Sequence, residues 1–213
     1  MSLLENKNIV LFLFIVFYNL ILVFLSNQFL ISETLFYNSF AEQLTIDKID
    51  KLIDQANQWA WLSYVLIPVI CLLKFSTIAL ILLTGFFFIN KKINFSLLFK
   101  AVMFAEIPFL LVPLIKLFWF LFIQTHYTFQ DLQYFFPLSA LQLFEIENLS
   151  TWQIYPLQLL NVFELVYWIS LAYCLRRLLH ISLNSSMEMV LASYGTSLLL
   201  WVVFITFLSL SFT

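Results

Sequence analysis

Between Trp59 and Ile123 the chain consists of two apolar runs, parted only by the short basic break Ile89-Asn90-Lys91-Lys92-Ile93-Asn94. Each run is longer than the roughly 20 residues a helix needs to cross a bilayer. Of the 213 residues, 63% are hydrophobic and 10% charged, with a mean hydropathy of +0.98. A soluble domain carries about a quarter charged residues. Such a chain has no polar surface to offer water, so its solvent is lipid.

The same composition excludes several function classes. The chain has only two glycines. Phosphate-cradling loops and dinucleotide fingerprints need more, and no Gly-x-Gly pattern occurs. A net charge of −2 argues against a nucleic-acid partner. Cys71 and Cys174 both lie inside apolar runs. Counted along their helices, Cys71 is far from the basic end and Cys174 is beside it, so the two read as packing residues rather than a disulfide. His126 and His180 fall on opposite sides of the membrane in the topology below, and no metal centre can be built from them. No cofactor is expected.

Five spans account for the chain. The first covers about residues 9–29. It is too long for the apolar core of a secretory signal and lacks an Ala-x-Ala site after it. Residues 30–58 are polar enough to leave the lipid. Within them Ile46, Ile49, Leu52, Ile53 and Ala56 share one helical face, which predicts an amphipathic helix. That face is either a partner-docking surface or a packed connector. The second span covers about 59–89, with Trp59 and Trp61 as interface anchors and Pro68 as a potential kink. The third covers about 95–123. Pro108 and Pro113 should bend it, because each removes a backbone hydrogen bond. Residues 124–151 form a second extramembrane segment, with a short amphipathic helix expected after Pro137. The fourth span covers about 152–175, behind a capping-box pattern at Ser150–Gln153. The fifth covers about 187–210, behind a similar pattern at Ser185–Glu188.

Basic residues orient this all-α arrangement. Lys7, Lys91, Lys92, Lys100, Arg176 and Arg177 flank the spans on one side. The two long loops hold only Lys48 and Lys51, against eight acids. Positive flanks stay cytoplasmic, so the N-terminus is expected inside, and the loops at 30–58 and 124–151 and the C-terminus outside.

Ionisable residues inside spans are functional candidates, because lipid penalises their charge. They are Lys74, Glu106, Lys116 and Glu164. Lys116 lies near the outer end of its span and can snorkel to the headgroups. In the fourth span Gln158, Asn161, Glu164 and Trp168 form a stripe at helical spacing. In the second, Lys74, Thr77 and Thr84 form a matching face. Both faces are expected to point inward, with Lys74 pairing Glu164 near mid-membrane and Glu106 as the rival partner. Lys74, Glu106, Asn161 and Glu164 are thus the candidate buried polar site, either a proton or ion path or polar glue between helices. In the fifth span Ala192, Ser193, Thr196 and Ser197 form a small-residue patch suited to close packing. Catalytic signatures are missing: no His-Glu-x-x-His, no Gly-x-Ser-x-Gly and no Glu-Glu pair. The protein is not expected to be an enzyme.

The stretch Phe95-Ser96-Leu97-Leu98-Phe99-Lys100-Ala101, followed by Phe104-Ala105-Glu106-Ile107-Pro108, resembles the Yip family, the five-span Ypt-interacting-protein superfamily with bacterial members. An acidic and aromatic fourth span (Glu164 to Trp168), a polar turn and a fifth span add to the likeness. The Asp-Leu-x-Gly-Pro motif of eukaryotic members is absent. The resemblance implies a non-enzymatic integral membrane protein that acts through other membrane proteins, and carries over no catalytic residue. The expected function is a scaffold or accessory subunit. The alternative is a small transporter or permease subunit with a polar path between spans two and four. The Phe, Ile, Asn and Lys bias is compatible with a bacterial chain, and the expected location is the inner membrane.

Overall fold

The computed structural model describes the backbone of residues 2–211 and the side chains of residues 8–211. The Lys7 side chain, one of the orienting charges, lies outside the described residues. Helix makes up 83% of the structure, and no strand forms among the described residues. Helices satisfy their own backbone groups, as lipid requires. In chain order the α-helices are α1 (Ser2–Phe29), α2 (Glu33–Phe40), α3 (Ile46–Phe88), α4 (Phe95–Ala105), α5 (Leu111–Phe118), α6 (Phe129–Tyr134), α7 (Thr151–Leu159), α8 (Val162–Leu179), α9 (Leu183–Val190) and α10 (Thr196–Ser211). Among the described residues, four stretches are long and apolar enough to cross a membrane: Asn8–Phe29, Ile46–Phe88, Phe95–Ile123 and Leu183–Ser211.

The chain divides into two compact units. The first comprises Met1–Cys71 and Leu110–Phe135. Here α1 packs on α5, with Leu22, Leu30, Leu117 and Phe120 buried together. The Tyr18 hydroxyl donates to the Leu110 carbonyl at 2.9 Å, and the Tyr127 hydroxyl to the Leu30 carbonyl at 3.1 Å. Lys116 reaches past the end of its helix to α6. Its ammonium donates to the Leu132 carbonyl.

The expected amphipathic helix and second span are one helix. No glycine or proline separates them before Pro68, so α3 runs unbroken for 43 residues, about 65 Å at ~1.5 Å per residue. The face offered as a docking surface is largely spent inside this unit. Ile49 and Ile53 are buried with Phe36 of α2, and Leu52 packs against the same cluster together with Phe40 and Phe129. Only Ile46 of the four docking candidates is exposed. The apolar stripe therefore belongs to a packed connector, because α2 folds back over it.

The second unit comprises Leu72–Phe109 and Phe136–Thr213. Helix α8 packs on α4 and on α9, and α10 packs on α7. Its core is built of Leu98, Ala101, Val102 and Met103 from α4, Leu171, Ala172 and Leu175 from α8, and Met189 and Val190 from α9. Both glycines of the chain mark close approaches here. A Cβ on Gly85 of α3 would stand 2.7 Å from the Ser193 Cβ, and one on Gly195 would stand 3.1 Å from the Trp168 ring. Of the expected small-residue patch, Ser193 alone is buried; Ala192 and Thr196 are exposed.

The segment expected as a fourth span is not one helix. It breaks at Leu160–Asn161, between α7 and α8. Asn161 has extended backbone, and its side-chain oxygen accepts from the Glu164 amide at 2.7 Å. The sequence Asn161-Val162-Phe163-Glu164 thus starts a new helix in mid-run, because an N-cap asparagine satisfies a donor that the helix leaves open. The chain before Ala140 covers the break. Ala140 N–H donates to the Leu160 carbonyl at 2.8 Å, and Val162 N–H to the Leu138 carbonyl at 3.2 Å. The expected helix after Pro137 is reduced to a 3-10 turn at Ala140–Leu143.

Two further details differ from the sequence reading. The last long helix begins at Leu183, and its cap is Ser182, whose hydroxyl accepts from the Ser185 amide at 3.1 Å; Ser185 is inside the helix. Span three departs from α geometry at a 3-10 turn, Ile107–Leu110, around Pro108 itself. Pro113 sits in the first turn of α5, where proline fits.

Candidate functional site

The buried polar groups of the second unit gather around Glu106 and Glu164. Glu106 follows the last turn of α4 and is buried by it. Its carboxylate takes an ion pair from Lys74 of α3, Nζ to Oε1 at 2.5 Å. The Lys74 ammonium also stands 4.8 Å over the Phe109 ring, a cation–π contact. The expected Lys74–Glu164 pair does not form. Counting residues along separate helices gives depth but not azimuth, and the rotation of α3 points Lys74 at α4.

The rest of the expected inward face on α3 is also corrected. Thr77 and Thr84 are exposed, and the Thr84 hydroxyl bonds back to its own helix at the Leu80 carbonyl, 2.9 Å away. The buried face is Phe75, Ile78, Ala79, Leu82 and Phe86. It is apolar because α3 meets the core there.

Glu164 is buried in the first turn of α8. Its Oε1 accepts two neutral donors: Trp168 Nε1 at 2.7 Å and the Tyr194 hydroxyl at 2.8 Å. Trp168 lies one turn on, as the stripe predicted. Tyr194 comes from the π-helical turn Leu191–Gly195 of the last span, and no spacing in the sequence announces it. The Tyr167 ring packs on Phe109 and Tyr194 at 5.4 Å each. Asn161 belongs to the break more than to the acids, since its amide nitrogen donates to the Gln158 and Leu159 carbonyls at 3.1 and 3.0 Å.

Two buried atoms in this cluster have no hydrogen-bond partner: Glu106 Oε2 and the Tyr167 hydroxyl. Beside it, α7, α8 and α10 line a cavity of about 560 Å³. Its wall is leucine, valine and proline, and Glu164, Asn161 and Trp168 are its polar or aromatic members. No group of three or more His, Cys, Asp or Glu side chains suited to a metal ion occurs among the described residues. The arrangement can hold charge in an apolar surrounding. Compared with protein-family models, with curated proteins and with solved structures, the chain matches none.

Proposed function

We propose that this chain is a non-enzymatic integral membrane protein that serves as an accessory subunit or scaffold for other membrane proteins. The observation that carries this reading is Lys74. It sits about 21 Å from the inner end of α3, at ~1.5 Å per residue, in a helix that is apolar from Trp59 to Phe88. Although paired with Glu106, its side chain is 42% exposed. A charge at mid-membrane costs at least about 2.5–3.5 kcal/mol against lipid. A polar surface of a neighbouring membrane protein removes that cost.

In this reading the chain crosses the inner membrane of a bacterium five times. The broken α7–α8 segment makes the fourth passage, the N-terminus is cytoplasmic and the C-terminus lies outside. The basic break at Lys91 and Lys92 supports the orientation, and the likeness to the Yip family supports a role through partners. A photo-crosslinker placed at Thr77, one turn from Lys74 and exposed, should give one discrete adduct with a protein that also co-purifies stoichiometrically in mild detergent. The same probe at Leu72, which is exposed and about 160° round the helix from Lys74, should not. Repeated recovery of an uncrosslinked monomer would sink the proposal.

The break at Asn161 favours a second reading, a small transporter subunit, since discontinuous helices line substrate sites in transporters. Its polar path runs through Glu164 and Glu106. Flux in proteoliposomes that disappears with Glu164→Gln is the expected result; flux unchanged by that variant would remove this reading.

A further inference from the structure

We propose that the cavity between α7, α8 and α10 is a binding site for a lipophilic organic cation, with Glu164 as its counter-ion. The inference goes beyond the accessory-subunit reading, because a chain without any partner can still bind such a ligand.

Charge and shape point to this class together. The buried cluster holds two carboxylates, Glu106 and Glu164, and one ammonium, Lys74, which is committed to Glu106 at 2.5 Å. Glu164 receives only neutral donors, Trp168 and Tyr194, and both on Oε1. They orient the carboxylate without neutralising it. No donor among the described residues reaches its other oxygen. The partial positive charge at the start of α8 favours an acid in the first turn, but amounts to about half a charge. The cluster is therefore short of one positive charge, which a proton or a ligand cation can supply.

The cavity shapes what that cation can be. At about 560 Å³ it falls within the roughly 300–1,000 Å³ of small-molecule sites. Glu164 and Asn161 stand at the start of α8, and the remaining wall is built of Leu138, Leu159, Leu165, Leu198 and Val202. The rim leucines Leu160, Leu165 and Leu199 are exposed, so the mouth is apolar. A hydrated inorganic ion would lose its water to leucine side chains there. A cation wrapped in hydrocarbon would not. Trp168, resting on Gly195 where any Cβ would crowd it, lends an aromatic surface to the cavity, and a ring face attracts a desolvated cation.

The probe is tetraphenylphosphonium, titrated onto the full chain in detergent by equilibrium dialysis. Wild type should bind it saturably at one site per chain. Glu164→Gln should weaken binding about tenfold or more, the equivalent of about 1.4 kcal/mol. Tyr37→Phe, whose hydroxyl bonds Asp50 away from this cluster, should leave affinity near wild type. Leu198→Trp fills the cavity while keeping the carboxylate, and should also abolish binding; it guards against Glu164→Gln simply misfolding. Tetraphenylmethane, which has the same shape without the charge, should not compete. Absence of saturable binding, equal binding by Glu164→Gln and Leu198→Trp, or full competition by the neutral isostere would each overturn the assignment.

Discussion

Lys74 and Glu106 place one ion pair where neither partner can be lost cheaply. Removing Lys74 leaves a carboxylate with one oxygen already unpartnered, and an unsatisfied buried charged group costs about 1–3 kcal/mol or more. Lys74→Met should therefore lower the thermal unfolding midpoint in detergent, and Lys74→Met with Glu106→Gln should recover most of the loss, since removing both charges of a pair is often near neutral. A double variant no better than the single one would mean that the pair is not what the residues contribute. Outside the spans, Tyr37 gives a pH-dependent contact. Its hydroxyl donates to Asp50 at 2.5 Å; that bond to the carboxylate is the main reason its pKa is raised above the usual 10.0, with desolvation and the nearby charges of Asp50 and Glu33 adding to it. A raised folded pKa means that the stabilisation is complete below the unfolded value and disappears as pH climbs through the folded one. The α2–α3 contact should loosen at alkaline pH, seen as a downward step in the unfolding midpoint of wild type that Tyr37→Phe does not show.

At the scale of elements, the break between α7 and α8 depends on a side-chain cap. Asn161→Ala removes the acceptor for the Glu164 amide and should cost about 1 kcal/mol, measured by denaturation in detergent. Asn161→Ser keeps a capping oxygen and should behave like wild type. If alanine is silent, the cap does not hold the break. The contact of α3 with the π-helical turn of the last span depends on Gly85. Gly85→Ala drives a Cβ to 2.7 Å from Ser193, and overpacking of this kind typically costs about 1–3 kcal/mol. Pairing it with Ser193→Gly should return part of that loss. Helix α3 is itself about twice as long as a bilayer requires. The charges Asp47, Lys48, Asp50, Lys51 and Asp54 make its first turns polar, while the absence of a breaker keeps them helical.

For the whole molecule, the proposed topology makes a direct forecast. A reporter active only outside the cytoplasm should work when fused near Gln55 or Leu143 and be silent near Asn94 or Asn184. Activity at Asn94 would invert the arrangement, because Lys91 and Lys92 sit beside it. In that topology the fourth passage is the sensitive one: it would be carried by two short helices, and Glu164, Arg176 and Arg177 keep α8 from being an apolar span on its own.

The sequence by itself determined the all-helical character and four of its five expected spans as long apolar helices, because run length and charge content are local quantities that tertiary contacts do not alter. Of the four residues it placed in a buried polar site, Glu106, Glu164 and Asn161 are buried and Lys74 is exposed; charge inside an apolar run has few other places to go. Tertiary structure alone decided who meets whom. Lys74 turned to Glu106, Tyr194 arrived at Glu164 from another helix, and α2 covered Ile49 and Ile53; each outcome depends on helix azimuth, which periodicity leaves free. The break at Asn161 lay between these cases. The cap pattern Asn-x-x-Glu was present in the sequence, but whether a capping asparagine starts a helix or rides within one depends on a partner for the freed backbone, and that partner, the chain around Ser139, lies 22 residues away in the sequence.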